Sequence, residues 1–307
     1  MKSLKRGSTL ITLMLLVFIT GLGLLVAKIQ MEASFYISNS GSRDLGYIYD
    51  RNGDIIFDDD AREGDYPDGY FKVFGNLIGD ASGQMTNTLV AKNLERLSNY
   101  SFTSGITRKG GKAAIYSTLD HKANEQVYSA FGDKEGCAIA YNYKTGELLV
   151  CVSRPSVDPL KGYDDLEEGS LLCKAFYKTI PGSTQKVATL ISATETMGMD
   201  KLMEKSYTCN GVYTNQTGLD IVCHNSYGHG TQNVAEAFAN SCNPFFAQLV
   251  EDPDWTLDDI ERCYTNLGIA VNDAEEKEFS IDGIISETAS TELTDKYEFN
   301  TQWGCIG

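Results

Sequence analysis

The sequence contains no Cys-x-x-Cys pair, although eight cysteines are scattered along its 307 residues. The spacing therefore disfavours the usual structural zinc sites, which bring two ligands from neighbouring positions. Cys209, Cys223, His224 and His229 could be imagined as a zinc cluster, but their separations match no standard finger or knuckle. We predict no metal site and no cofactor. Outside a cell, a Cys209–Cys223 disulfide is the preferred alternative, although the sequence fixes no pairing.

The sequence also lacks a basic stripe. Its 42 acidic residues outnumber 26 Lys and Arg, which gives a formal net charge of -16. Most of this excess lies in residues 251–307, where 15 acidic side chains face three basic ones. Such an acidic run is typical of a solvated surface, and it offers nothing to neutralise phosphates. We therefore predict no nucleic-acid partner.

Only one stretch of the chain is long and apolar enough to cross a membrane. Residues 7–27 carry no charge and follow the basic tip formed by residues 1–6. The segment has no Ala-x-Ala-like cleavage site and is longer than the apolar core of a signal peptide, so we predict an uncleaved anchor over residues 1–28. Three positive charges precede the span and only Lys28 follows closely. The positive-inside rule then predicts a single-pass protein with a cytoplasmic N-terminus and an extracellular main domain.

The region after the anchor has few structural signals. Residues 47–57 have the pattern of a β-hairpin in which Asn52-Gly53 would form a type I′ turn with positive φ angles. Residues 58–110 are polar and weakly patterned. We therefore predict a small N-terminal region over residues 29–110 with little core of its own.

A clearer pattern begins at residue 111. A strand is predicted over residues 112–120 and a helix over 121–131, and a β-hairpin follows with arms at 137–141 and 148–152. Both arms are almost continuously apolar, which favours a sheet covered on both faces. The alternation of strands and helices predicts an α+β fold, with helices packed on a mostly antiparallel sheet.

Ser183 and Lys186 are the strongest candidates for a nucleophile and its base. Residues three apart share a helix face, so the hydroxyl and the amine should lie together. Val187, Leu190 and Ile191 follow with helical spacing and predict a buried stripe beside them. A partly desolvated lysine has a lowered pKa and can accept a proton from serine near neutral pH. A single Ser-x-x-Lys match is nevertheless expected by chance in a chain of this length, so its surroundings must decide.

A second candidate motif consists of Ser241 and Asn243. Asn243 precedes Pro244, which disfavours a helical conformation for Asn243. Asn243 could therefore simply cap a helix that begins at Pro244. Alternatively, a loop between two helices displays the hydroxyl and the amide at a fixed place. These residues alone leave both interpretations open.

Together, these motifs resemble the penicillin-binding proteins, and more narrowly the class B transpeptidases with a single membrane anchor. The resemblance rests on residues 141–149, 153–159, 181–186 and 241–243, which occur in the family's order. It implies a penicillin-binding transpeptidase-like α+β fold. It also implies that Ser183 is the acylated nucleophile and Lys186 its general base. Ser241 would relay protons, and Asn243 would hold the substrate's amide.

The resemblance further implies a membrane-anchored D,D-transpeptidase that cross-links peptidoglycan stem peptides through a serine ester. β-Lactams would acylate the same serine, and proteins of cell-wall synthesis are candidate partners. Two other functions are compatible with the same motifs. One is a non-catalytic peptidoglycan-binding scaffold or β-lactam sensor, and the other is a serine β-lactamase.

The family's third motif, Lys-Thr-Gly, has only a false match. Lys144-Thr145-Gly146 precedes Ser183, whereas the family places this motif on a strand well after the Ser-x-Asn loop. We predict that it forms a hairpin turn outside the site. The transpeptidase domain assigned to residues 111–307 is therefore expected to lack the Lys-Thr-Gly strand and to be incomplete at its C-terminus. Such a chain is expected to be an inefficient enzyme.

Overall fold

A computed structural model describes residues 2–31, 45–101, 105–106, 112–272, 279–281 and 283–307. Contacts divide the chain into two compact units. The first contains Met1–Tyr177 with Ser280–Ser286, and the second contains Lys178–Phe279 with Glu287–Gly307. The predicted boundary between residues 110 and 111 falls inside the first unit, because strands from both sides of it share one sheet. The start of the transpeptidase domain at residue 111 therefore remains a prediction.

The N-terminal helix α1 extends over Lys2–Met31. Within it, Ile11–Ile29 has a mean hydropathy of 2.3 and is long and apolar enough to cross a membrane. None of this stretch is buried against the rest of the protein. A signal sequence near the N-terminus passes the same test of length and hydropathy, and the helix itself gives no direction across a membrane.

The first unit combines short helices with small sheets. Its helices after α1 are α2 (Gly75–Ile78), α3 (Leu89–Lys92), α4 (Leu94–Leu97) and α5 (His121–Ala130). Its strands are β1 (Tyr47–Tyr49), β2 (Ile55–Asp58), β3 (Tyr100–Ser101), β4 (Gly105–Ile106), β5 (Ala114–Tyr116), β6 (Gly136–Tyr141) and β7 (Leu148–Arg154). In one sheet, β1 lies between antiparallel β2 and parallel β5. The predicted strand, helix and hairpin after residue 111 are confirmed, with shorter bounds for the strand.

The polar region at residues 58–110 contributes to a substantial core, so the expectation that it has little core is wrong. Phe74, Leu77, Val90 and Leu97 are each at most 3% exposed and pack in one cluster with the β1 and β2 side chains. Short helices bury these side chains without the long periodic pattern that sequence analysis detects.

The predicted turn between β1 and β2 has a different geometry. Gly53 has a φ of 93°, but Asn52 is not among the residues with positive φ, so the turn is not type I′. The turn is longer than the predicted two-residue turn. In it, the Asp50 carboxylate accepts hydrogen bonds from the backbone N–H groups of Asn52 and Asp54, at 2.7 and 2.8 Å. An aspartate that binds its own downstream backbone therefore closes this turn.

The two arms of the second hairpin differ in burial. In β7, Val150, Cys151 and Val152 are buried, because α5 packs on this strand. In β6, by contrast, Ile139 is 50% and Tyr141 is 65% exposed. The prediction that the sheet is covered on both faces is therefore wrong for its first arm. Within the described ranges β6 pairs only with β7.

The Lys144-Thr145-Gly146 segment forms the turn of this hairpin, as predicted. Asn142 donates its backbone N–H to the carbonyl of Glu147, and Gly146 donates to the carbonyl of Asn142 at 2.7 Å. Gly146 has a φ of 77°, a conformation that favours glycine. The glycine therefore serves the turn.

The second unit is mostly helical. Its helices are α6 (Gln185–Met197), α7 (Met199–Glu204), α8 (Val234–Ala239), α9 (Asn243–Val250), α10 (Leu257–Asn266) and α11 (Phe299–Ile306). Its strands are β8 (Ser206–Cys209), β9 (Val212–Thr214), β10 (Asp220–Val222), β11 (Gly230–Asn233), β12 (Ala270–Val271) and β15 (Ser290–Thr291). β13 (Phe279–Ile281), apart from Phe279, and β14 (Ile284–Ser286) belong to the first unit. β8 pairs antiparallel with β11, and β9 with β10.

The core of the second unit is built from aromatic side chains around α6 and α9. Phe245, Phe246, Trp255 and Tyr264 are fully buried in one cluster. Helices α6, α9, α10 and α11 pack on one another there. This core carries the candidate site at the start of α6.

Candidate active site

Ser183 lies in a short 3-10 turn, Gly182–Thr184, that leads directly into α6. Its side chain is exposed, whereas Lys186, one helical turn later, is only 1% exposed. The Lys186 Nζ lies 2.8 Å from the Ser183 Oγ. The spacing of three residues therefore places an accessible hydroxyl on a buried amine, as the sequence predicts.

The buried face of α6 differs from the predicted stripe. Val187 is 48% and Ile191 is 36% exposed, so of the predicted stripe only Leu190 packs against the core. Instead, α6 buries Lys186 together with Thr189 and Ser192. The two hydroxyls are hydrogen-bonded, and these bonds offset the cost of burying polar groups between helices. Lys186 is thus buried more deeply than the partial desolvation that the sequence pattern predicted.

Two further oxygens orient the Lys186 amine. Nζ lies 2.9 Å from the Asn243 Oδ1 and 3.4 Å from the Ile306 carbonyl oxygen. As an ammonium, the group donates to all three neighbours. As a neutral amine it has two N–H bonds and one lone pair. When the two N–H groups donate to Asn243 and Ile306, the lone pair faces the Ser183 hydroxyl.

Burial lowers the pKa of the Lys186 ammonium to about 8. The physical cause is desolvation, which disfavours the charged form, while the nearby thiols of Cys242 and Cys223 partly oppose this shift. A substantial fraction of the lysine is therefore neutral near physiological pH, as a base for serine requires.

Ser241 brings a second hydroxyl to the nucleophile. Its Oγ donates to the Ser183 Oγ at 2.8 Å. Ser241 follows α8 with a φ of 49°, and the N–H groups of Ser241 and Cys242 bond back to the carbonyls of Phe238 and Ala237. This is the Schellman arrangement, in which glycine usually occupies the position held here by Ser241. A non-glycine residue in this conformation is strained, which is characteristic of functional positions.

Asn243 is the first residue of α9, and Cys242 occupies the capping position. The interpretation of Asn243 as a simple cap before a helix that starts at Pro244 is therefore wrong. The Asn243 Nδ2 donates to the Val222 carbonyl at 3.1 Å, while Oδ1 accepts from Lys186. One Nδ2 hydrogen is then left for a substrate oxygen.

The structure thus joins all four predicted residues, Ser183, Lys186, Ser241 and Asn243, in one hydrogen-bonded chain. It adds the Ile306 carbonyl, which no sequence signal indicated because a backbone oxygen carries no residue-type pattern. The arrangement can deprotonate a serine and return the proton through a second hydroxyl.

The structure also assembles a group that the sequence analysis disfavoured. Cys209, Cys223, His229 and Cys242 present ligand atoms that all lie within 4.8 Å of one another. His224 is outside this group, and Cys242, which the sequence analysis did not consider, is inside it. All eight cysteines lie in the described ranges and are free thiols, including Cys209 and Cys223. The spacing along the chain did not indicate this group, because tertiary contacts bring its four side chains together.

Comparison with known proteins identifies one family. Residues 136–297, more than half of the chain, match the family described as penicillin binding protein transpeptidase domain. Stage V sporulation protein D of Bacillus subtilis is 34% identical over 118 residues. This alignment covers 37% of the chain and 18% of the relative, so the chain corresponds to a small part of that longer protein.

Solved structures share the fold. The D,D-transpeptidase domain of a peptidoglycan glycosyltransferase from Eggerthella lenta has a TM-score of 0.62 at 18% identity, with 86% of this chain and 61% of that chain covered. The penicillin G acyl-enzyme complex of penicillin-binding protein A from M. tuberculosis has a TM-score of 0.61 at 18% identity, with 86% and 66% covered. The chain spans less than two thirds of either structure.

Proposed function

The chain belongs to the penicillin-binding protein transpeptidase family, and from this premise we propose that it is a serine D,D-transpeptidase of peptidoglycan synthesis. One observation carries the proposal: the exposed Ser183 Oγ lies 2.8 Å from both the buried Lys186 Nζ and the Ser241 Oγ. This is the geometry of an activated nucleophile with a proton path on its second side. β-Lactams would react with the same oxygen.

In the proposed acylation, neutral Lys186 accepts the Ser183 proton while Oγ attacks the carbonyl carbon of a stem-peptide amide. The C–N bond then breaks as the leaving amine takes the proton of the Ser241 hydroxyl, and the Lys186 ammonium returns its proton to Ser241. The product is an ester at Ser183. Asn243 supports this step by orienting Lys186 and by offering its second Nδ2 hydrogen to the substrate.

In the second half-reaction, the amine of another stem peptide attacks the ester carbonyl. The attacking amine loses a proton to the same Lys186–Ser241 pair, and the Ser183 Oγ recovers a proton as it leaves. Stem peptides therefore serve as donor and acceptor. Proteins of cell-wall synthesis are candidate partners that would supply the strands.

The topology proposed for α1 agrees with this substrate. The basic residues at the N-terminal tip favour a cytoplasmic start, which places the serine on the outer side where peptidoglycan lies. The helix then acts as an uncleaved anchor. Protease added to intact cells stripped of their wall should digest the second unit and spare a tag fused to the N-terminus. Digestion of that tag would contradict this orientation.

The proposed activity is tested by covalent labelling with a fluorescent penicillin. We expect the purified full chain to become labelled and a Ser183→Ala variant to remain unlabelled, because the variant lacks the attacking oxygen. Mass spectrometry should place the adduct on the peptide that contains Ser183. Thr184→Ala is the matched control, since it removes a neighbouring exposed hydroxyl and should keep the label.

Three outcomes would contradict the proposal. A folded wild-type chain without label would indicate a peptidoglycan-binding scaffold, and an adduct on another residue would refute the assigned nucleophile. Rapid turnover of a chromogenic cephalosporin would indicate a β-lactamase, because a transpeptidase keeps the acyl-enzyme much longer.

Replacing Ser241 with glycine should separate stability from activity. Glycine tolerates the positive φ at this position, so Ser241→Gly should stabilise the second unit by about 1 kcal/mol in thermal unfolding. The same change removes the proposed relay hydroxyl and should slow penicillin acylation about a hundredfold. An equally fast reaction in the variant would show that Ser241 relays no proton.

A further inference from the structure

Four potential metal ligands meet beside the serine site, in the Cys209–Cys223–His229–Cys242 cluster. Their ligand atoms lie within 4.8 Å of one another, and the Cys223 Sγ lies 3.5 Å from the His229 Nδ1. A tetrahedral zinc ion with Zn–S bonds of about 2.3 Å and Zn–N bonds of about 2.0 Å separates sulfur and nitrogen ligands by about 3.6 Å. The cluster therefore has the dimensions of a zinc site.

The four ligands come from the ends of neighbouring elements. Cys209 ends β8, Cys223 follows β10 directly, His229 precedes β11, and Cys242 caps α9. Hydrogen bonds hold these ends together: the His229 N–H donates to the Cys209 carbonyl at 3.0 Å. The pairing of β8 with β11 fixes two of the ligands side by side.

Two glycines allow the ligand loops to approach closely. Gly211 has a φ of 93°, and a Cβ there would lie 2.2 Å from the Ser226 carbonyl oxygen. Gly228 has a φ of 76°, and its Cβ would lie 2.2 Å from the Cys209 carbonyl oxygen. No other residue type fits either position without a backbone shift. The loops are therefore built to bring the thiols and the imidazole to one point.

A buried side-chain donor without a partner lies beside the Cys242 sulfur. The buried Gln232 amide interacts with Cys242, and its Nε2 has no hydrogen-bond partner among the described residues. A metal-bound thiolate accepts such bonds far better than a neutral thiol does.

We propose that Cys209, Cys223, His229 and Cys242 bind a structural zinc ion that fixes the Ser241-Cys242-Asn243 segment. Three sulfurs and one imidazole in a closed tetrahedral set are the ligands of structural zinc sites. Binding releases the three thiol protons to solvent as the thiolates coordinate the ion. The cysteines 209, 223 and 242 are at most 4% exposed, so the site is closed to substrate.

The link to the serine site is direct. Cys242 lies between Ser241, which contacts the nucleophile, and Asn243, which contacts Lys186. Asn243 also donates to the carbonyl of Val222, the residue before the ligand Cys223. The ion would therefore connect Cys242 to Cys223, whose neighbour Val222 binds Asn243. It would also hold Ser241 in its strained conformation.

The first test is the metal content of the purified full chain by elemental mass spectrometry. We expect about one zinc ion per chain in the wild type, and below about a tenth of that in Cys223→Ser and His229→Ala, because loss of one ligand greatly weakens a four-ligand site. His224→Ala and Cys137→Ser are the matched controls and should keep the full content. His224 neighbours the cluster without belonging to it, and Cys137 is an exposed cysteine elsewhere.

Cobalt absorption and peptide mapping of the wild-type chain test the site without relying on folded variants or on enzymatic activity. Wild-type chain exchanged into Co²⁺ should show the absorption of a tetrahedral, thiolate-rich site. A folded wild type with no zinc and no such absorption, or with a Cys209–Cys223 disulfide in peptide mapping, would overturn the proposal. Full zinc content in His229→Ala would overturn the ligand assignment.

The positioning role has its own readout. Zinc removal by a chelator should slow penicillin acylation at least about tenfold, with recovery when zinc is restored, because a displaced segment misplaces Ser241 and Asn243. Unchanged acylation after complete zinc removal would overturn the positioning role. Absence of all penicillin labelling, with zinc present, would refute the proposed function and leave the zinc site standing.

Discussion

Replacing Lys186 with methionine is expected to slow penicillin acylation of Ser183 by about 10³-fold, within the range that a positioned general base contributes. Methionine fills a similar volume in this buried position but cannot accept a proton. The Asn243 Oδ1 also loses its partner, so the chain should be somewhat less stable. The rate of labelling by a fluorescent penicillin measures the effect, and circular dichroism checks that the variant is folded.

The pH profile separates the base from a merely structural lysine. Burial lowers the Lys186 pKa to about 8, so the amine is protonated and inactive as a base below that pH. The wild-type acylation rate should therefore rise with pH and level off above 8, and at pH 6 it should be about a hundredfold below the plateau. Cys242 and Cys223 are the other groups that act on the Lys186 pKa, and they partly oppose the effect of burial. Lys186→Met should lose the rise.

Lys201→Met provides the matched control. Lys201 is an exposed lysine of the second unit, paired with Asp254 at 3.0 Å. Its replacement should change neither the acylation rate nor the pH profile. If Lys186→Met retained the wild-type rate and its rise near pH 8, Lys186 would not be the base.

Trp255→Ala should be the most destabilising single replacement in the second unit. The side chain is fully buried in the aromatic core, and its Nε1 donates to the Ser192 Oγ at 3.2 Å. Loss of the ring leaves a cavity and removes one of the two hydrogen bonds of the Ser192 hydroxyl, at a cost of about 3–5 kcal/mol. Thermal unfolding of the full chain in detergent, followed by circular dichroism, should show an early transition of this unit.

The control for this prediction is Val187→Ala on α6. Val187 is 48% exposed despite its place in the apolar pattern, so its truncation should change stability by at most about 0.5 kcal/mol. A cost as large as that of Trp255→Ala would mean that Val187 is buried in solution and that the orientation of α6 is wrong.

Local chemistry explains which features were predictable. The hairpins followed from turn residues between apolar runs, and the Ser183–Lys186 pair followed from helical spacing. The orientation of α6 did not follow, because the hydroxyls of Thr189 and Ser192 are buried with partners on α10. The short helices before residue 98 were missed because each is only one turn long.

The sequence by itself determined the family, the apolar N-terminal helix and the four residues of the candidate serine site, because these depend on composition, short spacings and ordered motifs. Only the tertiary structure decided how deeply Lys186 is buried, which carbonyl orients it, and that Cys209, Cys223, His229 and Cys242 converge. Desolvation and ligand convergence depend on contacts between segments far apart in the chain. No local spacing encodes those contacts, whereas packing of the helices and pairing of the strands create them.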